Sequence, residues 1–173
     1  MQAQTFFKVI AMDEADLLER LMVLFEEQRI AYCVIGGQGV NAYVEPLISL
    51  DLDVVVVAKQ LAEVEKLLTK SFSVKRLPQS LSVAAPGSDL RVQIQTDARY
   101  ADFPARASVR EVLGRPLRVA ALEDVLQGKV WAALDPERRG SKRQKDLADI
   151  ARLIEAYPQL RERVPAEIMG RLV

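Results

Sequence analysis

Two aspartates separated by a single leucine, Asp51 and Asp53, run into four consecutive valines, Val54 to Val57. In an extended strand residues i and i+2 share a face, so both carboxylates project together while Leu52, Val54 and Val56 pack against the opposite layer. Two neighbouring negative charges are unfavourable unless water, a proton or a cation offsets them. Magnesium suits such a pair, because it takes oxygen ligands, keeps several waters and commonly joins one or two carboxylates to a substrate's phosphates. Ions held in this way can orient an attacking oxygen and stabilise departing pyrophosphate in phosphoryl or nucleotidyl transfer. Upstream, Gly36-Gly37-Gln38-Gly39 adds a second ingredient. Small residues let backbone approach phosphate closely, and a helix starting there offers unpaired N–H groups.

The elements that must position these residues are legible in outline. Leu50 to Val57 reads as a strand central in a sheet, because β-branched residues favour strand and neither glycine nor proline interrupts them. Ile30 to Ile35 reads as a short buried strand, with Cys33 a small buried hydrophobe within it. Before it, Leu17, Leu18, Leu21, Met22, Leu24 and Phe25 recur at helical spacing, with Asp13 or Asp16 as the cap of a helix ending near Arg29. Between the two strands the glycines form a turn, Val40 to Tyr43 a short helix, and Pro46 its stop. A helix at Leu61 to Leu68 and a strand at Val74 to Leu77 follow. Two more strands, Ser80 to Ala84 and Leu90 to Thr96, are joined as a hairpin through Ala85-Pro86-Gly87-Ser88. Val109 to Leu113 and Leu117 to Val119 form a smaller hairpin around Gly114-Arg115-Pro116. The last third is helical: Leu122 to Leu134, a charged connection from Pro136 to Lys145, a helix from Asp146 to Tyr157, and a short helix after Pro165. The expected architecture is one α+β domain over 1–173, a mixed sheet flanked by helices, with its core at about 30–120 and a helical part at 121–173.

Composition narrows the chemistry. Lysine plus arginine equals aspartate plus glutamate at 24 each, so the overall field does not mark a nucleic-acid binder. There is no histidine, which removes the commonest general base and, with a single cysteine, the usual zinc sites. Neither an apolar run of membrane-spanning length nor a basic-then-apolar leader is evident, so a cytoplasmic location is expected. Arg138, Arg139, Lys142, Arg143 and Lys145 form a local basic cluster, read first as a solvated connection. Trp131 and Tyr157 are read as helix-packing residues.

The segment Tyr32-Cys-Val-Ile-Gly-Gly-Gln-Gly-Val-Asn-Ala-Tyr43, a spacer, and Ser49-Leu-Asp-Leu-Asp-Val-Val-Val56 resembles the minimal nucleotidyltransferases of the DNA polymerase beta superfamily, particularly the group containing the toxin component of abortive-infection AbiE systems. Leu122 to Lys129 and Arg143 to Ile150, with a lysine and a Lys-Asp-x-x-Asp segment, extend the resemblance over most of residues 30 to 155. It implies a nucleotidyltransferase-like fold and an NTP substrate with Mg2+ or Mn2+. It also implies an RNA, protein or small-molecule hydroxyl as acceptor, and an antitoxin protein as partner. By the same resemblance Gly36, Gly37 and Gln38 approach the nucleotide, Asp51 and Asp53 hold metal, and Lys129 reaches phosphate, with Asp146 pairing with or orienting it. Active relatives carry a third carboxylate on a later strand; here the matching position is Gln93, which can hydrogen-bond but has no carboxylate charge. The competing expectation is therefore a catalytically impaired relative that binds nucleotide or a protein partner. Asp89, at the same strand parity, is the substitute carboxylate to examine.

Overall fold

The chain is a computed structural model that describes residues 17–172. Helix α1 covers residues 17–27. It is followed by β1 (Tyr32–Ile35), α2 (Gly36–Asn41), β2 (Asp51–Val56), α3 (Leu61–Ser71), β3 (Ser73–Leu77), β4 (Ser80–Ala84), β5 (Arg91–Gln95), β6 (Ser108–Val112) and β7 (Arg115–Val119). Helices α4 (Leu122–Leu134), α5 (Gly140–Ala156) and the short α6 (Ala166–Met169) complete it. Among the described residues the strands form one mixed sheet in the order β3-β4-β5-β2-β1-β7-β6. Strand β2 is central, antiparallel to β1 and parallel to β5. The sheet flanked by helices, with helices at the C-terminal end, is the α+β architecture that the sequence pattern implies.

Alternation along the strands divides the apolar residues between two layers. Leu52, Val54 and Val56 join Val34, Val92 and Ile94 in a cluster beneath α1 and α3, contacted by Leu17, Leu21, Phe25, Val64 and Leu68. On the other face Cys33, Ile35 and Val55 meet Val125, Leu126 and Val130 of α4 and Leu147, Ile150 and Leu153 of α5. Asp51, Asp53, Gln93 and Gln95 lie on this second face by strand parity. It is therefore apolar where α4 and α5 cover it and polar beyond their edge. Burial pushes the Cys33 thiol up to about 12, as expected for an inert buried hydrophobe.

Three boundaries differ from the sequence expectation. The glycines do not precede the second helix; they begin it. Gly36 takes φ +66° and is already the first residue of α2, because glycine reaches the left-handed region without the Cβ penalty. Helix α5 starts at Gly140, so residues 140–145 of the expected charged connection are its first turns. The β6–β7 turn is Leu113-Gly114, both at positive φ, one residue earlier than the expected Gly114-Arg115-Pro116. Two residues at positive φ make the tight hairpin turn whose twist matches the strands. The expected caps Asp13 and Asp16 lie outside the described residues. Among those described, no helix is long and apolar enough to cross a membrane.

Candidate functional site

Strand β2 delivers its two aspartates to one face, and each finds a different environment. In the register of β2 with β5, Asp51 lies opposite Arg91 and Asp53 opposite Gln93. Arg91 Nε sits 2.9 Å from Asp51 Oδ1 in a pair largely open to solvent, which a competing cation displaces at little cost. Asp53 has no hydrogen-bond or ion-pair partner among the described residues, and burial raises its pKa, with Lys129 opposing and Asp51 adding to the rise. Its carboxylate is backed by Gly36: a Cβ at that position would fall inside contact distance of Asp53 Oδ2 and 3.1 Å from Asp53 Cβ and Cγ. A side chain there is excluded by packing as well as by backbone conformation. Gly37 carries no such constraint, since a Cβ there meets nothing within 4 Å among the described residues.

Asp53 and Gly36 line a cleft of about 120 Å³ together with Ile35, Ser80, Gln93, Gln95, Tyr100, Gly128, Lys129, Ala132, Arg138 and Asp146. One wall is ionic. Lys129 Nζ lies 3.1 Å from Asp146 Oδ1 and 2.9 Å from Asp149 Oδ2. Arg138 donates from Nε to Asp146 Oδ2 at 2.8 Å and from Nη2 to Asp146 Oδ1 at 3.1 Å. Burial works to lower the Lys129 pKa, but the Asp149 and Asp146 carboxylates outweigh it and hold the ammonium charged. Asp149 is shared in turn with Arg152, whose Nη2 reaches Asn41 Oδ1 at 3.2 Å and the Glu45 carbonyl at 2.6 Å. The Lys-Asp-x-x-Asp segment thus fixes Lys129 and braces α2 through one network.

The other wall is uncharged. Ser80 Oγ donates to Gln93 Oε1 and Gln93 Nε2 donates to Ser82 Oγ, each at 3.2 Å, so both ends of the Gln93 amide are clasped by β4. Gln95 Oε1 accepts from the Thr96 and Asp97 amides at 3.0 Å. Tyr100 is 5% exposed and packs edge-on against Phe103 and Trp131, while its hydroxyl has no partner among the described residues. Burial pushes its phenol up to about 12, so it is a donor at neutral pH. A larger depression of about 500 Å³ on α3, lined by Ala62, Glu65, Lys66, Thr69 and Lys70, is an open helix surface without converging polar groups.

The residues singled out from the sequence are therefore brought together unequally. Asp53, Gly36, Lys129 and Gln93 share the cleft, while Asp51, on the same strand face, is not part of its lining. Gln38 turns away: it is buried, its Nε2 donates to the Ser49 carbonyl at 3.0 Å and its Oε1 accepts from Asn41, which anchors the loop before β2. Asp89 is exposed in the turn before β5 and is absent from the cleft lining. Sequence reasoning did not single out Tyr100, Arg91 or the cleft role of Arg138. The parity of Arg91 with Gln93 was a usable signal; Tyr100 follows β5 in a 3-10 turn whose direction no periodicity encodes. Trp131 and Tyr157 pack as expected, the latter donating to the Tyr43 carbonyl at 2.8 Å.

Among the described residues no group of three or more Asp, Glu, His or Cys side chains gathers into a metal cage. The donors present fit a different case: an unpaired, partly desolvated Asp53 beside an easily released Asp51 suits a divalent ion that arrives already bound to phosphate oxygens.

No protein-family model matches the chain, and no curated protein matches it. Solved structures do. The crystal structure of ANT(2″)-Ia in complex with adenylyl-2″-tobramycin matches at a TM-score of 0.64 with 14% identity, covering 92% of this chain and 98% of that one. The solution structure of the antibiotic-resistance factor ANT(2″)-Ia matches at 0.56 with 14% identity, covering 94% of each chain. The lincomycin-bound lincosamide antibiotic adenylyltransferase LnuA matches at 0.52 with 14% identity, covering 79% of this chain and 95% of that one. At this identity the likeness is one of fold.

Proposed function

We propose that this chain, which has a nucleotidyltransferase-like fold, binds a nucleoside triphosphate with Mg2+ or Mn2+ and transfers its nucleotidyl group to a hydroxyl acceptor, releasing pyrophosphate. The observation that carries the reading is the unpaired Asp53 carboxylate lodged against the Cβ-free Gly36 in a cleft shared with Lys129. Asp53 and Asp51 would hold the cation that accompanies the triphosphate; when bound, it offsets phosphate charge and orients the phosphates. Gly36 and Gly37 leave backbone open to close approach, while Lys129 and Arg138 supply fixed positive charge on the same side. RNA, protein and small-molecule hydroxyls are the acceptor classes. The similar structures, a complex with adenylyl-2″-tobramycin and a lincosamide adenylyltransferase, support nucleotidyl transfer over simple binding. Kinship with abortive-infection toxins and an antitoxin partner belong to this proposal through the motif order alone, and a cytoplasmic setting belongs to it as the expectation from the sequence.

Gln93 favours a second reading. Its amide is clasped by two serines at the position of the relatives' third carboxylate, and it cannot take a proton from the attacking hydroxyl. On that reading the chain retains nucleotide without turnover. Incubation with each α-labelled NTP in Mg2+ or Mn2+, across RNA, protein and small-molecule acceptors, separates the two. Metal-dependent label transfer lost in Asp53→Asn supports the enzyme. Metal-dependent NTP binding without label transfer or pyrophosphate release favours retention, and absence of NTP binding overturns both.

A further inference from the structure

We propose that the wall built from β4, β5 and Tyr100 is the acceptor subsite, and that its acceptor is a small, uncharged, hydroxyl-bearing molecule. This rests on the reading that nucleotidyl transfer occurs at Asp53.

The unused hydrogen-bonding capacity of the cleft lies on this wall. The Tyr100 hydroxyl is unpartnered although the residue is almost wholly buried, and it lines the cleft. Gln95 has its carbonyl oxygen engaged by two backbone amides, leaving its amide hydrogens without a partner among the described residues. Ser80 donates to Gln93 and keeps its own lone pairs. The wall therefore offers donors at Tyr100 and Gln95 and an acceptor at Ser80, the mixture that a hydroxyl satisfies because it both gives and takes a hydrogen bond.

Charge excludes the alternatives. Both Asp146 oxygens are engaged by Lys129 and Arg138, so Asp53 is the unpaired carboxylate of the lining. That one group, in the field of Lys129, Arg138 and Lys142, cannot balance a polycation. A polyanionic acceptor would face Asp53 in a cleft whose β4–β5–Tyr100 side is uncharged, since Arg91, the cation that β5 carries, is paired with Asp51 and absent from the lining. The cleft, at about 120 Å³, admits the reacting end of a sugar-sized molecule. In the transfer step the acceptor oxygen forms a bond to the α-phosphorus, the bond from that phosphorus to the bridging oxygen breaks, and pyrophosphate leaves. The hydroxyl proton passes to solvent.

The test uses the full chain with α-labelled ATP and metal. Trehalose and myo-inositol serve as neutral probes, tobramycin as a polycation and a short RNA as a polyanion, with nucleotide binding measured separately. Label on a neutral probe is the expected result. Tyr100→Phe, which keeps the aromatic packing, should raise that probe's KM about three- to tenfold and leave ATP affinity unchanged, as loss of one hydrogen bond implies. Gln95→Glu keeps the oxygen that caps Thr96 and Asp97 but replaces the donor with a charge, and should shift label towards tobramycin. Preference of the native chain for tobramycin or RNA, label on no probe despite bound ATP, or a Tyr100→Phe variant with unaltered acceptor KM overturns the subsite while nucleotide binding at Asp53 stands. Absence of ATP binding removes the underlying reading itself.

Discussion

Gly36→Ala should be far more damaging than the same change one residue later. Gly36 holds φ +66°, where a residue with a Cβ pays a conformational penalty of about 1–2 kcal/mol. The new methyl would also meet the Asp53 carboxylate and stand 3.1 Å from Asp53 Cβ and Cγ, on a central strand with little freedom to move. Forcing a methyl into such a space costs about 1–3 kcal/mol. Together these give a loss of about 2–5 kcal/mol, a large share of a typical total of about 5–15 kcal/mol. Gly37→Ala meets nothing within 4 Å among the described residues and lies in a helix, so it should be neutral or stabilising by up to about 1 kcal/mol. Urea denaturation with linear extrapolation measures both, and a double-mutant cycle with Asp53→Ala isolates the clash. Removing the carboxylate should recover about 1 kcal/mol of the Gly36→Ala loss, while the conformational part persists. Equal effects at the two glycines, or a cycle with no coupling, would show that Gly36 does not bear on Asp53.

Asp53→Asn should stabilise the chain at neutral pH when no ligand is bound. Its folded pKa is raised, so the folded state binds more protons than the unfolded one and stability falls as pH climbs above the ordinary value of 3.8. The Asn variant should lose that part of the pH dependence and match the native chain below 3.8; thermal melts across pH check this. Lys129→Met leaves the buried Asp146 and the half-buried Asp149 with one cation fewer, and should cost towards the lower end of about 3–5 kcal/mol, because Arg138 and Arg152 remain. A denaturant midpoint equal to the native one would contradict this. Gln93→Asp places a third carboxylate beside Asp53; it should lower stability without metal and strengthen Mn2+–ATP binding, read by calorimetry, with unaltered binding as the contrary result. Arg91→Ala should change stability by less than about 1 kcal/mol, since the pair with Asp51 is exposed, and should tighten Mn2+–ATP binding by freeing that carboxylate.

Much of the architecture was readable because its signals are local. The valine run, the alternation in β5 and the helical spacing in α4 and α5 each follow from residues within one element. The shared face of Asp51 and Asp53 needed strand parity alone. What could not be read depends on pairing between distant segments. The register that sets Arg91 against Asp51, the serines that clasp Gln93 and the turn that points Tyr100 into the cleft all require knowing which strands are neighbours. Gln38 shows the reverse: a polar residue in a glycine-rich segment looked available for ligand, and tertiary structure uses it to pin the loop at Ser49. The early start of α2 was concealed by composition, since glycine is the poorest helix former after proline and reads as a break.

A helix of six residues has too few backbone bonds to persist alone. The brace from Arg152 to Asn41 and the Glu45 carbonyl, together with the Tyr157 hydroxyl on the Tyr43 carbonyl, ties α2 and the chain after it to α5 and the residue that follows it. Its amide protons should accordingly exchange with solvent only when α5 also opens, as one cooperative unit and not as a loop that breathes by itself. The glycine segment is then fixed masonry, its shape set by a helix more than a hundred residues further along the chain.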